Sequence, residues 1–195
     1  MDFDASDLTL QQAYKLMTGV VVPRPIAWVS TLNAEGKINL APFSAFTFVS
    51  HAPPMIAISV GMRNGDLKDT ARNILARKEF VVNVANHALL GAVHQSSFEY
   101  PPDVSEVDAL GLAVHPSHHI QTPRIAQAPA ALECRLHQCL ELGREPSRLI
   151  VGEVLRFHVR DGLAIDNKIT AADLDPISRL GGPNYATLGK VVTIT

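Results

Sequence analysis

The sequence predicts a mainly β protein, a closed antiparallel barrel carrying short helical insertions. Three observations predict it: several strand-length segments alternate apolar with polar residues, the helical patterns are short and mostly central, and no regular strand-helix-strand alternation occurs. All 195 residues read as one domain, because no Ser/Gly linker divides them and the length suits one sizeable core.

A short helix over Leu10–Met17 comes first. A hairpin follows. Ile26, Trp28 and Ser30 alternate with Ala27, Val29 and Thr31, Asn33 to Gly36 supplies turn chemistry, and Ile38, Leu40 and Pro42 form the second arm. Pro42 has no amide hydrogen, so the second strand is expected to break there and leave backbone groups of Asn39 to Ala45 without ladder partners. Two readings follow: an ordinary edge-strand proline, or a bend whose exposed backbone holds a ligand.

Met55–Val60 is a short buried strand, and Asp66 is the expected N-cap of a helix over Leu67–Arg77, with Asp69 in the capping-box position. Phe80–Val84 is a strand. Ala88–Val93 is a second helix, closed by Pro101 and Pro102. After a proline-rich passage, two long antiparallel strands, Ala131–Leu142 and Leu149–Arg160, are joined by a turn over Gly143–Ser147. Asp161-Gly162 marks a tight turn, Ala171–Leu174 a single helical turn, and Val191–Ile194 a terminal strand.

Composition narrows the function classes. A hydrophobic fraction of 47% with 18% charged residues suits a folded globular protein, and the positive mean hydropathy hints at a subunit interface. A formal charge of -2 gives no field for a nucleic-acid backbone. No apolar run approaches the roughly 20 residues of a membrane helix, and the acidic start MDFDASDLTL is unlike a secretory signal, so a cytoplasmic location is expected. Cys134 and Cys139 are an odd number of positions apart on one strand, hence expected on opposite faces, reduced and structural.

Much familiar chemistry is missing. No GxGxxG follows a strand, no GxSxG occurs, and GPNYATLGK at Gly182–Lys190 has the wrong spacing for a phosphate loop. His115, His118 and His119 lie in a proline-rich loop without a ligand-spaced Cys or carboxylate, and read as a surface cluster rather than a metal site. His87 and His94 do not define a metal site either. No catalytic nucleophile and no metal is expected. What remains suits an anionic, planar ligand: the hydroxyls of Ser30, Thr31, Ser44 and Ser59 near strand ends, and Arg63 and Lys68, which precede or open a helix whose first amides include Asp69 and Thr70.

Six segments in order carry a resemblance: RPIAWVST from Arg24, NLAPFSAF at Asn39–Phe46, KDTARNI at Lys68–Ile74, EFVVNV at Glu79–Val84, YPPDVSEVDALGL at Tyr100–Leu112 and RLGGPNY at Arg179–Tyr185. Together they resemble the flavin reductase-like, FMN-binding split-barrel family, closest to its flavoredoxin and flavin-reductase branch. The resemblance implies a Greek-key-like antiparallel split barrel, assembled as a homodimer with FMN near the interface. It implies flavin contacts on Trp28, Val29, Ser30 and Thr31, and backbone contacts to the isoalloxazine ring from Asn39, Leu40, Ala41, Pro42, Phe43, Ser44 and Ala45. Thr31, Ser44, Arg63, Lys68 and Thr70 would lie near the ribityl and phosphate groups, with Ser59, Asp69 and Asn73 beside them. Arg179 and Tyr185 would cover the flavin or reach the partner subunit.

The implied chemistry is hydride transfer from NADH or NADPH to the flavin, then delivery of electrons to free flavin, oxygen or a partner protein such as an oxygenase. Two alternatives stay open: an FMN-containing electron carrier without NAD(P)H oxidation of its own, and a split barrel whose site is lost or adapted to another ligand such as haem.

Overall fold

The computed structural model describes residues 1–101, 104–144 and 147–194. The chain runs through α1 (Leu10–Val20), β1 (Arg24–Pro25), β2 (Ala27–Leu32), β3 (Ile38–Phe43), β4 (Phe46–His51), β5 (Pro54–Val60), β6 (Met62–Arg63), β7 (Asp66–Leu67) and α2 (Asp69–Arg77). It continues through β8 (Glu79–Val84), α3 (Leu90–Gln95), α4 (Glu106–Ala109), β9 (Val114–His115), β10 (Arg124–Ile125), β11 (Ala130–Leu142) and β12 (Ser147–Val159). Last come β13 (Ala164–Ile165), β14 (Lys168–Ile169), α5 (Ala171–Leu174), β15 (Ser178–Arg179) and β16 (Tyr185–Ala186). Pro102 and the centre of the Gly143–Ser147 turn lie outside the described residues.

The main sheet is antiparallel throughout, in the order β3-β2-β8-β11-β12-β5-β4. Its two edges, β3 and β4, are consecutive in the chain and joined only by Ser44 and Ala45. Two residues cannot span an open seven-stranded sheet, whose neighbouring strands lie about 4.8 Å apart. The sheet therefore curls until its edges meet, and Ser59 N donates to Ala45 O (2.8 Å) at that seam. Curling separates two apolar clusters. One, from Ala27, Val29, Phe43, Ile58, Phe80, Val82 and Ile150 with Ala71 and Ile74 of α2, joins the barrel strands to that helix. The other gathers Ile26, Trp28, Leu40, Leu89, Val93 and Ile125. β2 contributes alternate residues to both, which is why Ala27 to Thr31 are all buried. Gly152 lets β12 approach the core closely, since a Cβ there would stand 2.5 Å from Phe80 Cζ.

Four expectations need correction. The second arm of the hairpin does not break at Pro42, which stays in register opposite Trp28. Leu40 N and Ile38 O bond away from β2, to Glu106 and Ser105, so by the two-residue period Pro42 also turns its nitrogen to the outer edge, where no ladder bond is lost. Asp66 does not cap the helix. Asn64 and Gly65, both at positive φ, turn a tight hairpin between β6 and β7, and α2 starts after Lys68 with no side-chain cap.

The thiols are not on opposite faces either. β11 carries an extra residue between Leu136 and Gln138, which converts an odd spacing into an even one; Cys134 and Cys139 face Val154 and Ile150 and both pack on the barrel cluster as free thiols. Val191–Ile194 forms no strand.

Candidate functional site

The Asn64-Gly65 hairpin sets Arg63 and Lys68 together at the start of α2. Lys68 is half-buried, and burial followed by repulsion from Arg63 holds its ammonium below the usual lysine range. Arg63 reaches one carboxylate, Glu99, at 3.3 Å on the exposed side, and among the described residues Lys68 has no ion-pair partner. The first amides of α2, on Asp69, Thr70 and Ala71, receive no side-chain cap. Uncapped amides and two crowded cations make a corner whose chemistry suits an anion. The Asp69 carboxylate pairs with Arg72 within the helix.

Buried amides and hydroxyls fasten that corner to the hairpin. Asn39 Nδ2 donates to Thr70 Oγ1 (3.0 Å) and to Thr31 Oγ1 (3.5 Å), and Asn73 Nδ2 donates to Thr31 Oγ1 (3.0 Å). These four residues, from β2, β3 and α2, fix how the helix start lies against the edge strand. Glu106 closes part of that edge by accepting from Leu40 N (2.9 Å), and Ser105 Oγ donates to Ile38 O (2.7 Å). Burial pushes the Glu106 carboxyl up, against the Leu40 hydrogen bond, while the charge of Asp69 raises it further and that of Arg63 lowers it.

At the seam, Arg24 binds four neutral acceptors. Its Nε donates to Ser44 Oγ (3.2 Å), Nη1 to Thr18 O (3.0 Å) and Val21 O (2.6 Å), and Nη2 to Leu180 O (2.9 Å). One guanidinium thus joins the end of α1, the Ser44 bend and the C-terminal segment. Arg179 Nη1 donates to the Tyr185 hydroxyl, with the guanidinium 4.5 Å from the ring centroid, and His94 Nδ1 lies 3.2 Å from the same oxygen.

The residues expected at the site divide accordingly. Thr31, Asn39, Thr70 and Asn73 come together, as do Arg63, Lys68 and Asp69, and Ser44 adjoins the Arg179–Tyr185 segment through Arg24. Ser59 meets Ala45 across the seam. Trp28, Val29, Leu40 and Phe43 have their side chains in the two cores, Ala41 packs on one of them, and the Ser30 hydroxyl donates to Pro123 O (2.8 Å). Trp28, Val29, Ser30 and Leu40 are fully buried, and Trp28 to Ser30 are paired with both β3 and β8, so within one chain these four present no accessible group to a ligand. Trp28 Nε1 is itself satisfied by Ser96 Oγ (2.9 Å). Arg24 and Glu106 adjoin these residues and were not singled out by sequence reasoning, while His94, considered there only as a metal ligand, lies beside Tyr185. Arg24 opens the RPIAWVST segment, but no local pattern shows what its guanidinium reaches.

Away from this region, His118 and His119 donate their backbone amides to Glu133 (2.7 and 2.8 Å), which anchors their loop to β11. Among the described residues no group of three or more His, Cys, Asp or Glu is placed to hold a metal, and no helix is long and apolar enough to cross a membrane.

Residues 17–171 match the family model described as a flavin reductase like domain. The fold is similar to that of nitrilotriacetate monooxygenase component B from Bacillus cereus, with a TM-score of 0.96 and 36% identity over 100% of this chain and 98% of that one. It is also similar to 2-nitrobenzoate 2-nitroreductase NbaA of Pseudomonas fluorescens, with a TM-score of 0.89 and 35% identity over 100% and 95% of the two chains. A Shewanella frigidimarina protein with a split barrel domain superposes with a TM-score of 0.87 at 20% identity, over 100% and 98%, and identifies the curled sheet as a split barrel.

Proposed function

The chain belongs to the flavin reductase-like domain family, and from that premise we propose that it is an FMN-binding oxidoreductase using NAD(P)H as electron donor. The observation that carries the reading is the half-buried Lys68 ammonium, crowded by Arg63 at the uncapped start of α2. A phosphate monoester dianion fits that corner: it would accept from the Asp69 and Thr70 amides and relieve the repulsion between the cations. Thr31, Asn39, Thr70 and Asn73 hold the corner at a set distance from the seam, where the backbone of Pro42 to Ala45 would meet the ring. FMN held there would supply the redox chemistry, a hydride equivalent passing from NAD(P)H and electrons going on to free flavin, oxygen or a protein. The chain's own residues bind and orient. No side-chain nucleophile is needed.

The purified protein is expected to show a flavin absorbance spectrum that bleaches on anaerobic addition of NADH or NADPH. A flavin that ignores both nucleotides yet bleaches with dithionite would assign an electron carrier instead. A protein without flavin that takes up none when FMN is added would defeat the reading. Similarity to component B of a monooxygenase favours an oxygenase as acceptor, and similarity to a nitroreductase favours direct reduction of a small molecule.

A homodimer is part of the same proposal. An apolar groove of about 790 Å³ runs beside the seam, lined among others by Pro25, Phe46, Phe48, Met55 and Phe157. Phe48 and Phe157 are 76% and 58% exposed, a large apolar surface for a monomer to leave in water. A second copy covering the groove would bring the interface to within a few residues of Ser44. Light scattering is expected to give twice the chain mass, and a monomer with stoichiometric FMN would contradict an interfacial site.

A further inference from the structure

Arg24, Arg179 and Tyr185 form one row across the small sheet of β1, β15 and β16, Arg24 being the Cα partner of Arg179 and Arg179 that of Tyr185. Directly opposed residues of an antiparallel ladder share a face, with Cβ atoms about 4.5–5.5 Å apart, and like charges so placed destabilise it. Here the opposed pair is two arginines. Among the described residues neither forms an ion pair. Every acceptor recorded for Arg24 is neutral, and Arg179 gives one N–H to the Tyr185 hydroxyl while its remaining N–H groups have no acceptor among the described residues. The row also adjoins the seam, because Arg24 bonds the Ser44 hydroxyl there and the Leu180 carbonyl of the same C-terminal segment.

We propose that Arg179, with Arg24 behind it and Tyr185 and His94 beside it, recognises an oxyanion on the second substrate that meets the flavin. The inference rests on the FMN reading above. It assigns the Lys68 corner to the flavin phosphate and this row to a different molecule. The unused N–H groups of Arg179 form a fork suited to a carboxylate or phosphate, and an anion there would neutralise the opposed Arg24–Arg179 pair. Burial raises the Tyr185 hydroxyl above its ordinary range, with Arg179 pulling the other way, so it remains a neutral hydrogen-bonding group. Two molecules carry such a group: the pyridine nucleotide, through its pyrophosphate, and an anionic electron acceptor.

Arg179→Gln, purified with its flavin, distinguishes them. Reduction is measured with NADH and with the uncharged donor 1-benzyl-1,4-dihydronicotinamide; reoxidation is measured with 1,4-naphthoquinone and its sulfonate. The substitution is expected to raise the KM of the anionic member of one pair by about ten- to a hundredfold more than that of its neutral counterpart. Selectivity in the donor pair assigns the row to the nucleotide, and selectivity in the acceptor pair assigns it to the acceptor. Equal effects on charged and neutral members, or none, overturn the inference. Loss of FMN from the variant alone also overturns it, by giving the row to the flavin, whereas a wild-type protein that binds no FMN defeats the parent reading. If Arg179→Gln does not fold, Arg179→Lys is measured instead, with a smaller selective loss expected because the charge stays and the fork is removed.

Discussion

Removing both cations of the helix corner, Arg63→Ala with Lys68→Ala, is expected to weaken FMN binding by about a hundredfold or more and riboflavin binding far less. Each charge-assisted hydrogen bond to a phosphate contributes on the order of 1.5–3 kcal/mol, so losing two gives a change that a fluorescence titration resolves easily. The Lys68 ammonium is destabilised by burial and by Arg63, a repulsion that a bound anion would relieve. Lys68→Ala alone is expected to lose less than the pair, because removing one cation also ends the repulsion. Riboflavin has the same ring and ribityl chain but no phosphate. Equal weakening of both ligands would place the phosphate elsewhere.

The second large effect is one of stability. Glu133→Leu is expected to destabilise the fold by about 3–5 kcal/mol, measured by chemical denaturation, because a fully buried carboxylate holds three donors there. Its oxygens accept from the amides of His118 and His119 and from His158 Nε2 (2.5 Å), and leucine would leave all three without their acceptor. Glu133→Gln keeps one acceptor oxygen and is expected to cost less. The pH dependence has a definite sign. Burial alone would raise the Glu133 carboxyl, but the two amides and His158 outweigh it and hold it below the usual glutamate range. A lowered folded pKa contributes stability that is complete above the ordinary glutamate value and is lost as pH falls through the folded one. The gap between wild type and Glu133→Gln should therefore narrow in acid. A gap that is constant with pH would show that charge is not what Glu133 contributes.

Much of the barrel is legible locally. The alternation in Ile26 to Thr31 and the apolar run from Met55 to Val60 report strands because side-chain direction repeats every two residues wherever a strand has a core face. Local pattern misleads where one residue changes the count. The extra residue in β11 between Leu136 and Gln138 brings Cys139 to the same face as Cys134, and nothing in ALECRLHQCLELG marks it. Asp66 has a good capping side chain, yet Asn64-Gly65 just before it makes a hairpin and uses Asp66 as a strand residue. Local preferences compete, and the tighter turn prevails here.

The candidate site divides the same way. Arg63, Lys68, Asp69 and Thr70 lie within eight positions, so their convergence is a matter of one hairpin and one helix start, both encoded locally. Arg24 meets Leu180 across 156 positions, and the seam at Ser44 exists only because β3 and β4 are opposite edges of a sheet that curls back on itself. The sequence by itself determined six of the seven strands of the main sheet, all but β4, together with the helical segments α1, α2, α3 and α5 and the cations and hydroxyls near the start of α2, all of which follow from backbone period, turn chemistry and charge over a few neighbouring residues. Tertiary structure alone decided where Pro42 turns its nitrogen, which face Cys139 takes and that Arg24 and Arg179 oppose each other. Those depend on strand order, register and curvature, which arise from pairings between distant segments and leave no trace in the spacing of nearby residues.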